Sequence, residues 1–319
     1  MTAVPEPDGR PPLETRLRLR GPLDLRRTLS PLRHGPGDPC VHLEGRTVWR
    51  ATRTPAGPAT QAVVAEPDAG GVRCWAWGPG APWLLDHLGS LVGAGDEPAA
   101  LADLVARRPP GWQVVGPLAR RHPGLRIPRS AAVTEAAVPA VLEQKVTGVE
   151  ATRSYRALVL ALGEPAPGPR AGLRLPPSAD RLAATPGWAL HRLGVERKRA
   201  ETLRRVAAAA GRLEDAAGLP LGAARRRLTT VAGVGPWTAA EVALVALGDP
   251  DAVSIGDFHL PNQVAWTLTG VARGDDRLML ELLEPWRGQR GRVLRLLMTR
   301  GVTAPKFGPR QPLRSFRDR

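Results

Sequence analysis

The residues whose types and spacing suit them for chemistry stand close together in the second half of the sequence. Gly233 and Gly235 are separated by one residue, and two glycines so arranged permit backbone angles that are closed to other residues. Pro236 suits the first position of a following helix, where a backbone N–H is not needed. Amides that face outward at such a helix N-terminus bind phosphate readily. Asp257 follows 22 residues after Gly235, and its carboxylate can either cap a helix or stabilise positive charge in a reaction.

Two helices must position these groups. Apolar periodicity predicts one helix over residues 221–230 and another over 239–247, so the glycines form a tight corner between them. A Gly-Asp-Pro-Asp turn then precedes Asp257. Acidic residues are ordinary in turns, so we interpret Asp249 and Asp251 as turn residues and Asp257 as the candidate catalytic group.

This order of elements resembles the helix-hairpin-helix DNA glycosylases, in which an aspartate behind the hairpin helix catalyses removal of a damaged base. The match extends over residues 228–262, including Trp-Thr-Ala after the hairpin and the pair Asp257-Phe258. The resemblance implies that the protein extrudes the damaged nucleotide and breaks the C1′–N bond, with Asp257 stabilising an oxocarbenium-like transition state. It also implies that four hairpin residues contact DNA: Gly233, Val234, Gly235 and Thr238.

Trp237 decides the reaction class that the resemblance implies. Relatives with lyase activity carry a nucleophilic lysine at this position, directly after the hairpin. Lys145, Lys198 and Lys306 belong to other segments, so simple hydrolysis is expected. The sequence Gly-Pro-Trp-Thr-Ala is similar to the alkylpurine branch of the family, that of bacterial DNA-3-methyladenine glycosylase II. An indole ring attracts cationic alkylated bases through stacking and cation–π interaction, so Trp237 is predicted to line the base pocket.

The other pocket positions depart from the family pattern. One helical turn after Trp237, where relatives can carry a second aromatic ring, this sequence has Glu241. We predict that Glu241 lines the base pocket; alternatively, it points to solvent or pairs with an arginine. Where a further pocket tryptophan would fall near the C-terminus, the sequence reads Arg292-Val293-Leu294-Arg295. Trp266 and Trp286 are nearby alternatives, either as pocket rings or as core residues.

Three further assignments come from the resemblance. Gln144 and Lys145 correspond to residues that enter the gap left by the flipped base, although Lys145 can fill it with its stem or contact phosphate instead. Residues 193–200 resemble the turn before a long helix that faces the hairpin, or they form only the start of an exposed basic helix. The family also places a monovalent cation, Na⁺ or K⁺, on hairpin carbonyls. The corresponding residues here are Thr229, Val231 and Val234, and no other cofactor is expected.

The charge distribution supports a nucleic-acid partner. The formal net charge is +15, with a balance of +1 over residues 1–110 and +14 over residues 111–319. The part that contains the hairpin is therefore the part suited to bind a polyanion. We expect double-stranded DNA that contains damaged bases as the partner.

Composition limits the remaining possibilities. The two cysteines, Cys40 and Cys74, offer no disulfide framework, zinc-ligand spacing or iron–sulfur loop. The sequence shows no signal peptide and no apolar run of membrane-spanning length. We therefore expect a cytoplasmic, nucleoid-associated bacterial monomer without a membrane partner.

We predict an α+β fold in which a small antiparallel-sheet domain precedes an all-α helix-hairpin-helix glycosylase domain. Alternation predicts strands over 13–20, a hairpin over 41–52 and strands over 61–65 and 72–77. Helical spacing predicts that residues 133–162 are strongly helical. The expected divisions are a disordered N-terminus (1–12), a mixed α/β domain (13–110), a helical glycosylase domain (111–302) and a basic tail (303–319).

Two other functions stay open from the sequence. One is a non-catalytic DNA-binding protein that keeps the hairpin fold, although such a protein has no use for Asp257 near the phosphate backbone. The other is a glycosylase for an oxidised or deaminated base. The missing lysine and the missing cluster cysteines argue against this second alternative.

Overall fold

The first part of the chain forms a five-stranded antiparallel sheet. The computed structural model describes residues 11–305, so nearly all of the predicted N-terminal disorder (1–12) and basic tail (303–319) lies outside the described residues. The strand order is β1-β5-β4-β3-β2. The strands are β1 (Leu13–Arg18), β2 (Val41–Glu44), β3 (Thr47–Thr54), β4 (Gly57–Glu66) and β5 (Gly71–Trp77).

The predicted strands are present, with different ends. In β1 the alternation puts Leu17 against the core and leaves Arg16 and Arg18 exposed, as the sequence pattern indicates. β4 is longer than predicted and pairs with β3 from Gly57 to Val64. The first residues of β4 are Gly-Pro-Ala, which lack the large apolar side chains that would have indicated a strand.

Sixteen α-helices surround and follow the sheet within the described residues. The sheet part carries α1 (Leu25–Leu29), α2 (Ala81–Asp86), α3 (Leu88–Leu91) and α4 (Pro98–Ala106). The helices of the central part are α5 (Trp112–Arg121), α6 (Val133–Leu142), α7 (Gly148–Leu162), α8 (Ala179–Ala184), α9 (Gly187–Arg192), α10 (Arg197–Ala208) and α11 (Ala210–Glu214). The last five are α12 (Leu221–Thr229), α13 (Pro236–Val242), α14 (Leu260–Thr269), α15 (Asp276–Leu283) and α16 (Arg290–Met298). Two short strands, β6 (Glu164–Pro165) and β7 (Arg174–Leu175), pair in the loop after α7.

The segment predicted to be helical, 133–162, is helical at both ends, and the structure divides it into α6 and α7. The break follows from Thr147, whose side chain caps α7 while Glu150 bonds back to the Thr147 backbone, a reciprocal capping box. Lys145 in the intervening turn has a positive φ of 54°, which a helix does not allow. The turn between α6 and α7 therefore stands out from the helical surface and is available for function.

The main hydrophobic core crosses the boundary predicted at residue 110. It joins strand residues such as Val63 and Cys74 with helical residues such as Leu142 and Leu203. A buried ion pair reinforces this contact, because Arg50 in β3 lies 2.9 Å from Glu135 in the first turn of α6. A second core packs α4 and α5 against α14, α15 and α16. The sheet and the helices thus share their interior.

The predicted fold class is confirmed, since an antiparallel sheet is followed by a helical array. Within residues 11–305, none of the helices is both long enough and apolar enough to cross a membrane. The hairpin helices α12 and α13 lie within the helical array and pack against each other. The candidate site is built around them.

Candidate active site

The hairpin between α12 and α13 takes the compact form that its glycines predict. Gly233 has a φ of 97°, and the N–H of Val234 donates to the carbonyl of Val231 at 2.9 Å, which closes the turn. Pro236 is the first residue of α13, as expected. The side chain of Val234 is buried, so the hairpin offers mainly backbone to its surroundings.

Helix α10 lies directly behind this hairpin. A Cβ atom at Gly233 would collide with the side chain of Thr202 on α10, so the two backbones approach closely. Arg205, one turn further along α10, donates to the carbonyl of Ala232 at 3.5 Å. Lys198 and Arg205 are exposed on the same side of α10 as Thr202. Of the two interpretations of residues 193–200, the structure supports the one in which this helix faces the hairpin.

Gln144 joins the α6–α7 turn to the hairpin. Its Nε2 donates to the carbonyl of Gly233 at 3.0 Å and to Oγ1 of Thr238 at 2.8 Å. Thr238 is only 2 % exposed, so its hydroxyl serves this interior contact. The carbonyl of Leu142, just before the turn, accepts a bond from buried Arg199 on α10 at 2.8 Å. Sequence reasoning did not identify Arg199, because a buried arginine on a basic helix gives no distinct signal.

Lys145 is exposed at the tip of the same turn. Its φ of 54° places it in the left-handed region, which a residue other than glycine enters at a cost of order 1 kcal/mol. The neighbouring contacts of Gln144 and the cap at Thr147 hold this conformation from both sides. The side chain is therefore presented outward in the protein without DNA.

Asp257 is fixed from two directions. Its Oδ1 accepts bonds from the backbone N–H groups of His259 and Leu260, both at 2.8 Å, at the start of α14. Its Oδ2 accepts a bond from the indole N–H of Trp237 at 3.0 Å. The capping role is therefore present, and the same carboxylate is also oriented by Trp237 after the hairpin; the catalytic role of Asp257 stays a prediction. With both oxygens engaged, the carboxylate plane has little rotational freedom.

Glu241 lies on the same side of α13 as Trp237, one helical turn later. Among residues 11–305 it has no arginine as an ion-pair partner, and its Oε1 accepts a hydrogen bond from the hydroxyl of buried Ser254 instead of extending into solvent. Burial raises the pKa of Glu241, the bond from Ser254 opposes that rise, and the charge of Asp257 adds to it. Glu241 is thus electrostatically coupled to the candidate catalytic group.

A third carboxylate, that of Glu143, belongs to the same electrostatic group. Burial raises the pKa of Glu143 to about 7, and the charges of Glu241 and Asp257 contribute to the rise. Its Oε1 lies 3.9 Å from Nδ1 of His34, which belongs to the segment before β2. Sequence analysis missed Glu143 and His34. Glu143 directly precedes the assigned Gln144, but its proximity to Glu241 follows from the packing of α6 against α13, which local sequence does not show.

The C-terminal helix serves structure rather than the pocket. Arg292 is 2 % exposed, ion-paired with Asp96, and bonded to the carbonyl of Leu125 at 3.0 Å. Arg295 donates to the carbonyl of Arg126 at 2.9 Å. Trp286 is fully buried in the second core, so it is a core residue and not a ring of the pocket. Trp266 is partly buried on α14.

The turn carboxylates are also structural, as the sequence analysis proposed. Asp249 is 1 % exposed and lies 3.2 Å from Arg225 on α12. Asp251 forms an ion pair with Arg290 at 2.5 Å, and the guanidinium keeps the pKa of Asp251 below its usual value despite burial. These pairs tie the turn after α13 to α12 and α16.

Comparison with known proteins supports the resemblance. No family model matches the chain. The chain is 36 % identical over 168 residues to a Mycobacterium tuberculosis protein described as "Probable bifunctional transcriptional activator/DNA repair enzyme AlkA". That alignment covers 51 % of this chain, and the chain spans only about a third (32 %) of the relative's length.

Solved structures establish the architecture. A 3-methyladenine DNA-glycosylase from Archaeoglobus fulgidus aligns over 89 % of this chain and 97 % of its own, with a TM-score of 0.72 and 19 % identity. The chain has the fold of the helix-hairpin-helix DNA glycosylases. Another protein with this fold, the 8-oxoguanine glycosylase/lyase of Clostridium acetobutylicum, aligns over 93 % of this chain and 99 % of its own, with a TM-score of 0.68 and 12 % identity. The predicted resemblance to this superfamily and its alkylpurine branch is confirmed. Identities this low describe the helix-hairpin-helix glycosylase fold and leave the substrate to the chemistry of the site.

Proposed function

We propose that this chain is a monofunctional DNA glycosylase that hydrolyses the N-glycosidic bond of alkylated purines, of the 3-methyladenine and 7-methylguanine type, in double-stranded DNA. The observation that carries the proposal is the contact between Asp257 and Trp237, at 3.0 Å, next to the hairpin. It joins a carboxylate suited to cation stabilisation with an aromatic ring suited to an alkylated base. A protein that only binds DNA has no need for a carboxylate held by three donors.

Asp257 would act on the sugar. As the bond between C1′ and the base breaks, positive charge develops on the sugar, and a carboxylate held in fixed orientation stabilises it without reorganisation. The same carboxylate can steer a water to C1′. The indole N–H of Trp237 is directed to Asp257, so the extruded base would meet the ring of Trp237 by stacking rather than through its N–H.

The absence of an amine at this position supports hydrolysis without a covalent intermediate. Position 237 holds an indole, which cannot form the Schiff base on which lyase activity depends. Lys145 lies on the α6–α7 turn and Lys198 on α10, while Lys306 lies outside the described residues. The expected product is an abasic site in an uncut strand.

DNA would approach the side of the molecule that presents the hairpin. The backbone of Gly233 and Gly235 suits phosphate, and the exposed cations Lys198 and Arg205 flank it on α10. Lys145 would enter the space vacated by the extruded base or meet the adjacent phosphate.

A monovalent cation would fit the same hairpin. The carbonyl of Val231 accepts one bond, from the N–H of Val234 at 2.9 Å, and retains a second lone pair. Carbonyl oxygens are hard ligands that suit Na⁺ or K⁺, and those of Thr229 and Val234 would complete the set. When bound, such an ion would add positive charge close to a DNA phosphate.

A second candidate is removal of an oxidised base, since the Clostridium acetobutylicum protein of similar fold is an 8-oxoguanine glycosylase/lyase. That protein is described as both a glycosylase and a lyase, whereas this chain has Trp237, and not a lysine, directly after the hairpin. The 36 % identity to the mycobacterial AlkA protein also favours the alkylpurine branch. We further propose that the protein acts as a cytoplasmic, nucleoid-associated monomer, in keeping with a DNA partner and no membrane partner.

The decisive experiment is incubation of the purified protein with duplex DNA methylated at random positions, followed by chromatographic identification of the released bases. The proposal expects free 3-methyladenine or 7-methylguanine, with strand breaks only after alkali. Borohydride should trap no protein–DNA adduct. Release of 8-oxoguanine from a matched oxidised duplex, without release of methylated bases, would favour the second candidate. Release of no base would leave a DNA-binding protein.

A further inference from the structure

The end of α6 brings an additional carboxylate, that of Glu143, close to the hairpin and to the carboxylates of Glu241 and Asp257. Glu143 immediately precedes Gln144, whose amide is bonded to the hairpin at Gly233 and to Thr238 on α13. The backbone N–H of Glu143 donates to the carbonyl of Pro139 at 3.0 Å, so the residue still belongs to the rigid end of α6. Its side chain is 38 % exposed, so a ligand can reach it, and the charges of Glu241 on α13 and of Asp257 act on it.

Of the three coupled carboxylates, Glu143 is the one that the protein leaves without a hydrogen bond among residues 11–305. Asp257 accepts three bonds and Glu241 accepts one from Ser254. The remaining candidate partner of Glu143 is His34, with Nδ1 at 3.9 Å from Oε1. Burial lowers the pKa of His34 to about 4, so the imidazole is neutral near pH 7 and does not offset the charge of Glu143.

The grouping of Glu143, Glu241 and Asp257 is electrostatically unfavourable in the free protein. Three carboxylates that sense one another repel, and partial burial removes the water that would screen them. A ligand that brings positive charge to this place would relieve the repulsion, whereas a neutral ligand of equal size would not. The ligand already implied by the fold and by Trp237 is a purine, and purines alkylated on a ring nitrogen carry a positive charge.

We propose that Glu143 is a specificity-determining residue of this pocket, which selects positively charged alkylpurines over neutral damaged purines by direct charge pairing. The inference rests on the proposed function and extends it. Selection through a second aromatic ring is replaced here by selection through an acidic side chain on the turn that reaches the hairpin. Trp237 contributes stacking, and Glu143 contributes the discrimination by charge.

Binding of a cationic base should also release a proton from Glu143. Because Glu143 titrates near pH 7 in the free protein, part of the population carries a neutral carboxyl at that pH. A cationic base favours the ionised form, so its binding expels that proton and strengthens as pH rises from about 6 to 8. Glu241 on α13, Asp257 before α14 and His34 before β2 are the titratable groups facing Glu143. Binding of a neutral base lacks this pH dependence.

The test compares excision of 3-methyladenine and hypoxanthine by the wild-type protein and by Glu143→Gln. Charge pairing that is equivalent in free energy to a shift of about one pKa unit changes kcat/KM about tenfold when it is lost. We therefore expect kcat/KM for 3-methyladenine to fall about tenfold or more, and that for hypoxanthine to change less than about threefold. Glu97→Gln, which alters net charge equally at an exposed residue beside α4, is the matched control and should change neither.

The wild-type protein provides an independent measurement. The ratio of 3-methyladenine to hypoxanthine excision should rise with pH between about 6 and 8, and Glu143→Gln should flatten the rise. Calorimetry with a duplex whose lesion nucleotide carries a 2′-fluorine, and is therefore not cleaved, should show proton release for the cationic lesion only. Equal losses on both substrates, or a flat wild-type ratio, would overturn the role of Glu143 while leaving glycosylase activity intact. A protein that excises neither base would instead refute the proposed function.

Discussion

The side chain of Thr202 occupies the space in which a side chain on Gly233 would begin: an added Cβ would lie 2.2 Å from the Thr202 hydroxyl oxygen. Gly233 also has a φ of 97°, a conformation that L-residues rarely adopt. Two independent constraints, one steric and one conformational, therefore require glycine at this corner. Gly235 faces neither, because its φ is −92° and no atom lies within 4 Å of an added Cβ.

This contrast separates structural from functional roles of the two glycines. Gly233→Ala should destabilise the protein by about 1–3 kcal/mol, because the backbone strain and the collision with Thr202 act together. Gly235→Ala should leave the denaturation midpoint close to that of the wild type. If the hairpin backbone meets a phosphate, Gly235→Ala should still weaken DNA binding several-fold. Urea denaturation and duplex titration distinguish the two effects, and wild-type affinity in Gly235→Ala would remove its role in close DNA approach.

Asp257→Asn should abolish most activity without unfolding the protein. The amide oxygen of asparagine can still accept from the N–H groups that start α14, so the cap survives. The negative charge near the sugar is lost, and excision in single-turnover assays should fall about a hundredfold or more. Duplex affinity measured alongside should stay within a few-fold of wild type. Unchanged excision rates would exclude Asp257 from the mechanism.

Trp237→Phe tests the orientation of that carboxylate. The change keeps an aromatic ring for stacking and removes the N–H that bonds Oδ2 of Asp257 at 3.0 Å. A hydrogen bond to a charged group contributes about 1.5–3 kcal/mol, so a tenfold or larger fall in the excision rate is expected. Lesion binding should change little. If binding collapses while the rate at saturation is maintained, the indole serves the base rather than Asp257.

Salt should weaken DNA binding steeply. Each neutralised phosphate contributes about −0.9 to the slope of log affinity against log salt on duplex DNA. Lys145→Ala and Arg205→Ala, which change exposed cations on the α6–α7 turn and on α10, should each make the slope shallower by about one. Arg73→Ala, on the sheet, is the control and should leave the slope unchanged. Affinity that does not depend on salt would contradict this arrangement.

Glu241→Gln examines the second acidic position. The glutamine oxygen can still accept a hydrogen bond from the hydroxyl of Ser254, so folding should be preserved. Excision of 3-methyladenine should fall more than that of hypoxanthine, because a charge beside the cationic base is lost. Since Ser254 already bonds Glu241, the selective loss should be smaller than in Glu143→Gln. Equal losses on the two lesions would make Glu241 a structural residue.

The hairpin and the order of secondary-structure elements could be predicted because they depend on local chemistry. Gly233, Pro236 and the apolar periodicity on either side specify a helix-turn-helix corner without reference to the rest of the chain. The strands of the sheet follow from alternation in the same way. Where the alternation failed, at the Gly-Pro-Ala start of β4, the length of the strand was also missed.

The rest of the site could not be predicted because it depends on contacts between distant segments. His34 comes close to Glu143 only after the sheet packs on the helices. Arg292 resembles a surface residue in the sequence, yet it is buried against Asp96 from another element. The division of 133–162 into two helices was recoverable in principle, since Thr147 and Glu150 form a recognisable capping box.

Helix α6 connects the sheet to the pocket. At one end, Glu135 is anchored to Arg50 and Thr52 in β3. At the other end, about 12 Å from Glu135 by the rise of eight residues, the chain turns at Glu143 and Gln144. A substitution in the sheet that shifts Glu135 would move α6, and with it the residues at the end of α6 beside the proposed base pocket. Substitutions in β3, which is far from the hairpin in the sequence, can therefore constrain how the choice of substrate evolves.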